Sequence, residues 1–115
     1  MQRDMDLIRE ILLALEARDF ARLNAVERTT QMYHNYLLVE AGLAVGNDFG
    51  ADSNEIPQWR IHALTWKGHE FLESARDVSR WTKAKEIVRE KAGSVSFDVL
   101  KKLLMDLMQG AIGIG

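Results

Sequence analysis

A turn-rich stretch interrupts an otherwise helical periodicity near the middle of the chain, and it constrains the fold more than any other feature. The stretch runs from Gly46 to Gln58, holds the only proline and predicts a loop of about a dozen residues. Strand candidates flank it, Leu43–Val45 before it and Trp59–Trp66 after it; the second has Trp59, Ile61 and Ala63 at alternate positions. Two strands joined in this way predict an antiparallel hairpin with an extended tip.

Three helical segments are predicted before the hairpin. Residues 4–17 carry apolar side chains at helical intervals, with Asp4 or Asp6 as a cap. A short helix is expected around residues 19–25. A third runs from Thr29 to Ala41 and ends at Gly42, because glycine commonly follows a helix C-terminus.

A single long helix from Ala25 is the alternative to this break, because Asn24 and Glu27 form a pair like a capping box. The broken arrangement is the interpretation that we favour.

Three more helices are predicted after the hairpin. Thr65 is expected to cap a helix from Trp66 to about Asp77, and residues 78–92 continue as a helix with mixed surface charge. Gly93 breaks that helix, and Ser94 or Ser96 caps a final helix of about a dozen residues.

This order predicts a mainly α fold with a small antiparallel β-hairpin, a winged helix-turn-helix with extra C-terminal helices. Residues 1–77 would form the winged helix-turn-helix core, and residues 78–115 a helical extension of the same domain. A length of 115 residues fits a single domain.

Several function classes are disfavoured by composition. Without cysteine there is no disulfide framework, thiol nucleophile or cysteine-based zinc site. We expect no transmembrane helix and no signal peptide, because the apolar runs are too short, and hence a cytoplasmic protein. No phosphate-binding glycine loop or nucleophile motif occurs, so we expect neither an enzyme nor a cofactor. His34, His62 and His69 lack the spacing of metal ligands, so no metal is expected either.

Three motifs resemble those of the domain-of-unknown-function family 2513, which comprises small bacterial and prophage proteins. The first is the opening Arg3-Asp4-Met5-Asp6-Leu7-Ile8-Arg9-Glu10-Ile11-Leu12-Leu13. The second is Tyr33-His34 followed by Leu37-Leu38-Val39-Glu40-Ala41-Gly42-Leu43. The most distinctive is Leu64-Thr65-Trp66-Lys67-Gly68-His69-Glu70-Phe71-Leu72 with Ala75-Arg76-Asp77, and Trp81, Lys83-Ala84-Lys85 and Gly93-Ser94-Val95 continue the match.

The resemblance supports the winged-helix fold, since a Leu-Thr-x-x-Gly element is common at the second wing strand of winged-helix regulators. It implies no activity. Two residues depart from the family pattern: Asn35 stands where an apolar residue is expected, and Lys67 where an acid is more usual.

Charge is distributed unevenly along the chain. Residues 1–58 hold five Arg and no Lys against ten Asp/Glu, a net charge of −5, whereas residues 59–115 hold ten Lys/Arg against seven acids, a net charge of +3. A basic footprint for nucleic acid would therefore lie in the second half.

Double-stranded DNA is nevertheless the leading expected partner, because the third helix would be the recognition helix. Its polar residues and the basic residues further along include side chains that can bind bases or phosphates. The candidate DNA contacts are Arg28, Thr30, Gln31, Asn35, Arg60, Lys83 and Lys85. The alternative is that these side chains belong to helix faces that are exposed to water and contact no DNA.

A homodimer is a second expectation, because the last helix has a broad apolar face and an exposed apolar stripe marks a partner surface. The candidate interface residues are Phe97, Leu100, Leu103, Leu104, Leu107 and Met108. The alternative is that this helix folds back on its own chain.

Trp59, Trp66 and Trp81 are expected in the core.

The sequence thus predicts a small non-enzymatic winged-helix protein that binds DNA and regulates transcription, of phage or prophage type. The alternative is a protein–protein interaction module that uses the same scaffold without DNA; the acidic first half favours that alternative, whereas the basic run Lys83, Lys85, Arg89, Lys91 favours DNA.

Overall fold

A computed structural model of the protein describes residues 2–50, 58–92 and 97–110. The prediction of a mainly helical chain with a small antiparallel sheet is confirmed. The chain divides into two compact units, Met1–His69 and Glu70–Gly115. In chain order the elements are α1 (Met5–Ala17), a short 3-10 helix (Ala21–Leu23), α2 (Arg28–Glu40), β1 (Ala44–Asp48), β2 (Trp59–Leu64), α3 (Trp66–Ala75), α4 (Val78–Ala92) and α5 (Phe97–Met108).

The first helix has the predicted bounds, and of its two candidate caps the structure uses Asp4. Asp4 is the N-cap, and its Oδ1 accepts hydrogen bonds from the N–H groups of Asp6 (3.0 Å) and Leu7 (3.2 Å). Arg18 ends the helix in a left-handed conformation with φ 56°. The side chains that fill the core are apolar: Met5, Leu7, Ile8, Ile11, Leu12, Ala14 and Leu15.

The second α-helix ends in the glycine-dependent motif that the sequence predicts. Gly42 has φ +77°, a conformation that favours glycine, and its N–H donates to the carbonyl of Val39 (3.0 Å). The N–H of Leu43 donates to the carbonyl of Leu38 (2.9 Å). These two bonds form a Schellman motif, which turns the chain from α2 into β1.

The first strand is longer than predicted, which corrects the boundary of the turn-rich segment. β1 extends to Asp48, paired with Trp59, so residues 46–48 belong to the sheet and not to the loop. A β-bulge interrupts the register between Val45 and Gly46. At the far end, Oδ1 of Asp48 accepts from the N–H groups of Gly50 and Gln58, both at 2.8 Å, which fixes the base of the tip.

A threonine and a glycine connect β2 to α3. Oγ1 of Thr65 accepts the N–H of Gly68 (3.0 Å), as predicted for an N-cap, and its hydroxyl donates to the carbonyl of Gly42 (2.6 Å). A Cβ on Gly68 would clash with the backbone carbonyl oxygen of Leu43, so a larger residue would separate the helix start from the chain before β1. The Leu-Thr-x-x-Gly motif is therefore a packing device in this structure.

The second unit holds the end of α3, from Glu70, together with α4 and α5. α3 ends at Ala75, two residues earlier than predicted, because Asp77 instead caps α4 by accepting the N–H of Arg80 (2.8 Å). The ring of Phe71 packs edge-on against Trp81 and in a tilted contact with Phe97. The predicted caps of the last helix, at positions 94 and 96, lie outside the described residues.

The prediction that all three tryptophans are core residues is correct for Trp81, which is 3% exposed, but wrong for Trp66, which is 82% exposed. Trp59 is half-buried. Trp66 is the first residue of α3, so its direction follows the helical period rather than the alternation of the preceding strand.

Candidate interaction surface

The first turn of α2 gathers three of the predicted DNA contacts. Arg28 is exposed, and Thr30 and Gln31 are half-buried on the next residues of the same turn. Nη2 of Arg28 donates to Oε1 of Gln58 at 2.7 Å, which connects the helix start to the residue just before β2. The turn is therefore held beside the base of the hairpin.

Asn35 corrects the set of predicted DNA contacts, because it faces inward. It is 3% exposed, and its Nδ2 donates to the backbone carbonyl of Trp59 at 3.0 Å. Oδ1 of Asn35 is buried with no partner in the described part of the chain. Its side chain positions α2 against β2 and is not available to a base.

The neighbouring residue, His34, has no exposed surface and joins α2 to the start of α1. The backbone N–H of Asp4 donates to Nε2 (2.8 Å), and Nδ1 lies 2.8 Å from the carbonyl of Thr30. A carbonyl only accepts and an N–H only donates, so the ring carries its proton on Nδ1 and is neutral. His34 thus satisfies the N–H of the residue that caps α1.

Tyr36 completes the contact between α2 and the hairpin. Its ring lies 5.4 Å from that of Trp59, in a tilted arrangement. A hydrogen bond to the Glu40 carboxylate, followed by the charge of Glu40, burial and the neighbouring Tyr33, raises the pKa of the Tyr36 hydroxyl above its ordinary value.

The exposed face of the hairpin carries residues that the sequence analysis mostly missed. Strand alternation places Val45, Asn47, Arg60 and His62 on this face, and the exposed Phe49 lies just beyond the end of β1. We define these five residues as the outer hairpin face. The alternation of Val45, Asn47 and Phe49 is the sequence signal that could have identified this face. It was not used because the loop was predicted to begin at Gly46.

The polar groups of the outer hairpin face surround an aromatic ring. The guanidinium of Arg60 lies 5.5 Å from the centroid of the Phe49 ring, and His62 meets the same ring edge-on at 6.1 Å. The amide oxygen of Asn47 accepts from Nε2 of His62 at 2.6 Å. Phe49 nevertheless remains 59% exposed and Val45 53% exposed.

The two remaining predicted DNA contacts lie in the second unit, on α4. Lys83 is exposed, whereas Lys85 is half-buried with its Nζ 5.6 Å from the Trp81 ring centroid. A separation of two residues points them to different sides of the helix. They do not form one cationic strip.

The last helix divides the predicted dimer residues into two groups. Leu100 and Leu104 have no exposed surface, because they form the core of the second unit, so both are removed from the proposed interface. Met108 is 38% exposed, and Phe97, Leu103 and Leu107 are half-buried. Val99, which is 48% exposed, adjoins Leu103 at helical spacing.

Two other structural features are absent from the described residues. Within residues 2–50, 58–92 and 97–110, no group of three His, Asp or Glu side chains is placed to hold a metal ion. No helix in this part of the chain has both the length and the apolar character to span a bilayer.

Comparison with known proteins finds a family and a relative. Residues 2–94 match the family described as "Hypothetical protein (DUF2513)". A protein of Haemophilus influenzae, described as an uncharacterized protein, is 33% identical to this chain over an alignment of 115 positions. The alignment covers 94% of this chain and 96% of the relative. No solved structure matches the chain significantly.

Proposed function

The chain belongs to the domain-of-unknown-function family 2513, and from its own surface we propose that it is a small, non-enzymatic winged-helix protein that binds double-stranded DNA and regulates transcription. In this proposal α2 is the recognition helix and the hairpin is the wing. The family description names no activity, so the proposal rests on surface geometry and on the order of elements.

The observation that supports DNA binding is the first turn of α2. Arg28 and its neighbours Thr29, Thr30 and Gln31 are at least partly exposed at the start of a helix, where side chains reach base edges in helix-turn-helix proteins. The bond from Arg28 to Gln58 fixes this turn beside the hairpin. With Asn35 turned inward, base contacts would come from Gln31 and Arg28, and Thr30 would contact phosphate or sugar.

The test is fluorescence anisotropy with a labelled random-sequence duplex, at low and then near-physiological salt. Phosphate contacts predict binding that weakens steeply as salt increases. Arg28→Ala should weaken binding, and Lys85→Ala tests whether the second unit takes part. Arg18→Ala is the matched control, since Arg18 is an exposed arginine at the opposite end of α1 from the His34 contact.

Absence of binding at low salt would overturn the proposal of sequence-independent DNA contacts. Equal losses for the Arg28 and Arg18 variants would show a general charge effect and no site on α2.

A protein-interaction module is the second candidate, and charge favours it. The unit Met1–His69 holds seven Lys/Arg against ten Asp/Glu, a net charge of −3. A unit with this balance repels phosphate at long range. The exposed aromatic and aliphatic side chains of the outer hairpin face are typical of protein interfaces instead.

We also propose a homodimer through α5, now restricted to Val99, Leu103, Leu107 and Met108, since Leu100 and Leu104 are buried and the ring of Phe97 packs against Phe71. Leu103→Asp should give a folded monomer by light scattering, because the residue is only half-buried. Leu104→Asp is the matched comparison and should unfold the second unit, because Leu104 is fully buried. Unfolding by Leu103→Asp, or an already monomeric wild type, would contradict the dimer.

A further inference from the structure

We propose that the outer hairpin face is a docking surface for a protein segment that carries carboxylates between apolar side chains. The inference rests on the second candidate function, the protein-interaction module, and names the chemistry of its partner. It is independent of DNA binding by α2.

The positive charge of the outer hairpin face favours a ligand that carries a carboxylate. Arg60 is exposed, and no Asp or Glu in the described part of the chain pairs with its guanidinium. Asp48, the acid closest to it in the strand pairing, accepts two backbone N–H groups at the base of the tip. The face is thus locally positive although the unit has a net charge of −3, so the attraction acts at short range, at Arg60, where charge complementarity selects a carboxylate.

The apolar part of the face requires more than a simple anion. Phe49 and Val45 keep more than half of their surface in contact with water, although Val45 lies in β1 and Phe49 directly follows it. A guanidinium stacked over an aromatic ring leaves its edge N–H groups free for two parallel bonds to a carboxylate. Arginine and aromatic side chains, phenylalanine among them, are also enriched in protein interfaces.

The same face is poorly suited to nucleic acid. A phosphate backbone presents regularly spaced charges, and affinity grows with the number of cations that neutralise them. This face offers one arginine and a histidine beside two large apolar side chains. Apolar surface of this kind is matched by apolar side chains of a protein partner.

The groups of the face are already oriented. The bond between His62 and Asn47 fixes two side chains, and the cation–π contact fixes a third. The N–H of Phe49 donates to the carbonyl of Gln58 at 3.0 Å, which continues the ladder to the aromatic residue. Binding would therefore require little further ordering.

The experiment is an NMR titration of the full isotope-labelled chain with two capped peptides. One alternates aspartate with leucine, and the other alternates lysine with leucine. We expect the acidic peptide to shift the signals of Phe49, Arg60 and His62, and the basic peptide to leave them unchanged. Arg60→Glu should weaken binding of the acidic peptide by about tenfold or more and confer binding of the basic one.

Matched variants separate the site from general effects. Arg18→Glu changes the same charge elsewhere on the unit and should leave acidic-peptide binding unchanged. Phe49→Ala should weaken it about tenfold, whereas Phe20→Ala, at another exposed phenylalanine, should not. Dispersed amide spectra of each variant confirm that it is folded.

Three results would overturn the proposal. The first is no shift on the outer hairpin face at millimolar acidic peptide. The second is binding that appears only in the double variant Asp52→Asn, Glu55→Gln: both acids lie in the turn-rich stretch between the two strands, and such a result would mean that the chain's own carboxylates are the ligand of the face. The third is a shift of the Arg60 NMR signals on addition of a DNA duplex, with no such shift on addition of the acidic peptide. If Arg28→Ala loses duplex binding but keeps peptide binding, the result supports the DNA proposal and leaves the peptide proposal unaffected.

Discussion

The helices α1 and α2 are both 13 residues long, yet they enter the same unit by different means. α1 buries seven apolar side chains, whereas α2 buries His34, Asn35 and a single leucine, Leu38. Burial of apolar surface is non-directional, so α1 is stabilised by the amount of apolar surface that it buries and not by contacts of fixed geometry. Hydrogen bonds are directional, so the two polar residues of α2 fix its orientation against α1 and β2.

The difference bears on function because α2 carries the proposed DNA contacts. A helix held by directional bonds presents its first turn in one defined orientation beside the hairpin. Binding surfaces gain affinity when they are positioned in advance. The polar core of α2 is therefore a feature of the proposed interface as well as of the fold.

The largest effect is expected in α1. Leu12→Ala removes a fully buried side chain and should lower the free energy of unfolding by about 2–5 kcal/mol. Leu13→Ala is the control, because Leu13 is half-buried and should show a clearly smaller loss. Urea denaturation followed by circular dichroism measures both. Equal losses would show that α1 is not held by its buried face.

The next effect is expected from the buried histidine of α2. His34→Ala leaves the N–H of Asp4 and the carbonyl of Thr30 without this partner and opens a cavity, which should cost about 2 kcal/mol. His62→Ala, at an exposed position, should stay within about 0.5 kcal/mol of wild type. If the two variants unfold at the same urea concentration, the contact between α1 and α2 does not depend on this ring.

A smaller effect of opposite sign is expected at Asn35. Asn35→Leu removes a bond of about 1 kcal/mol but also an unpartnered buried oxygen, whose burial costs about 1–3 kcal/mol, so the variant should be more stable by about 1 kcal/mol. Asn35→Ala is the comparison and should be destabilised, because it leaves a cavity.

Stability and recognition can be separated in the same variant. If Asn35 positions α2, then Asn35→Leu should weaken duplex binding although it strengthens the fold. A variant that is both more stable and equally active in the anisotropy assay would show that the bond to Trp59 does not orient the first turn.

Signals between neighbouring residues were sufficient for most of the helix boundaries. The cap at Asp4, the glycine end at Gly42 and the cap at Thr65 each depend on bonds over a few residues; the sequence predicts the last two and gives Asp4 as one of two candidates. The amphipathic stripe of α1 was sufficient for its buried face. The sequence pattern of α2 instead predicted an exposed Asn35.

The errors share a physical origin in partners that are distant along the chain. Asn35 is buried because a carbonyl 24 residues away accepts its hydrogen bond. Residues 46–48 form a strand because β2 supplies the ladder, against their turn-forming composition. The outer hairpin face follows from that pairing, and it was therefore missed along with it.

The smallest effect concerns Tyr36, at the exposed side of the contact between α2 and the hairpin. Glu40 raises the pKa of its hydroxyl, so the folded state retains the proton at pH values where the unfolded chain loses it. This contribution to stability is complete below the unfolded pKa and disappears as the pH increases through the folded value. Glu40→Gln should therefore lower the pKa of Tyr36 and reduce this pH dependence.

An alkaline absorbance titration of phenolate formation measures that shift directly. The chain has two tyrosines, so Tyr33→Phe provides a background in which Tyr36 is the only one. In this background Glu40→Gln should move the titration to lower pH, and Glu27→Gln, at the other end of α2, should not. An unchanged titration in Glu40→Gln would mean that the two side chains are not bonded, and that this end of α2 is held against β2 by the Tyr36–Trp59 ring contact without help from Glu40.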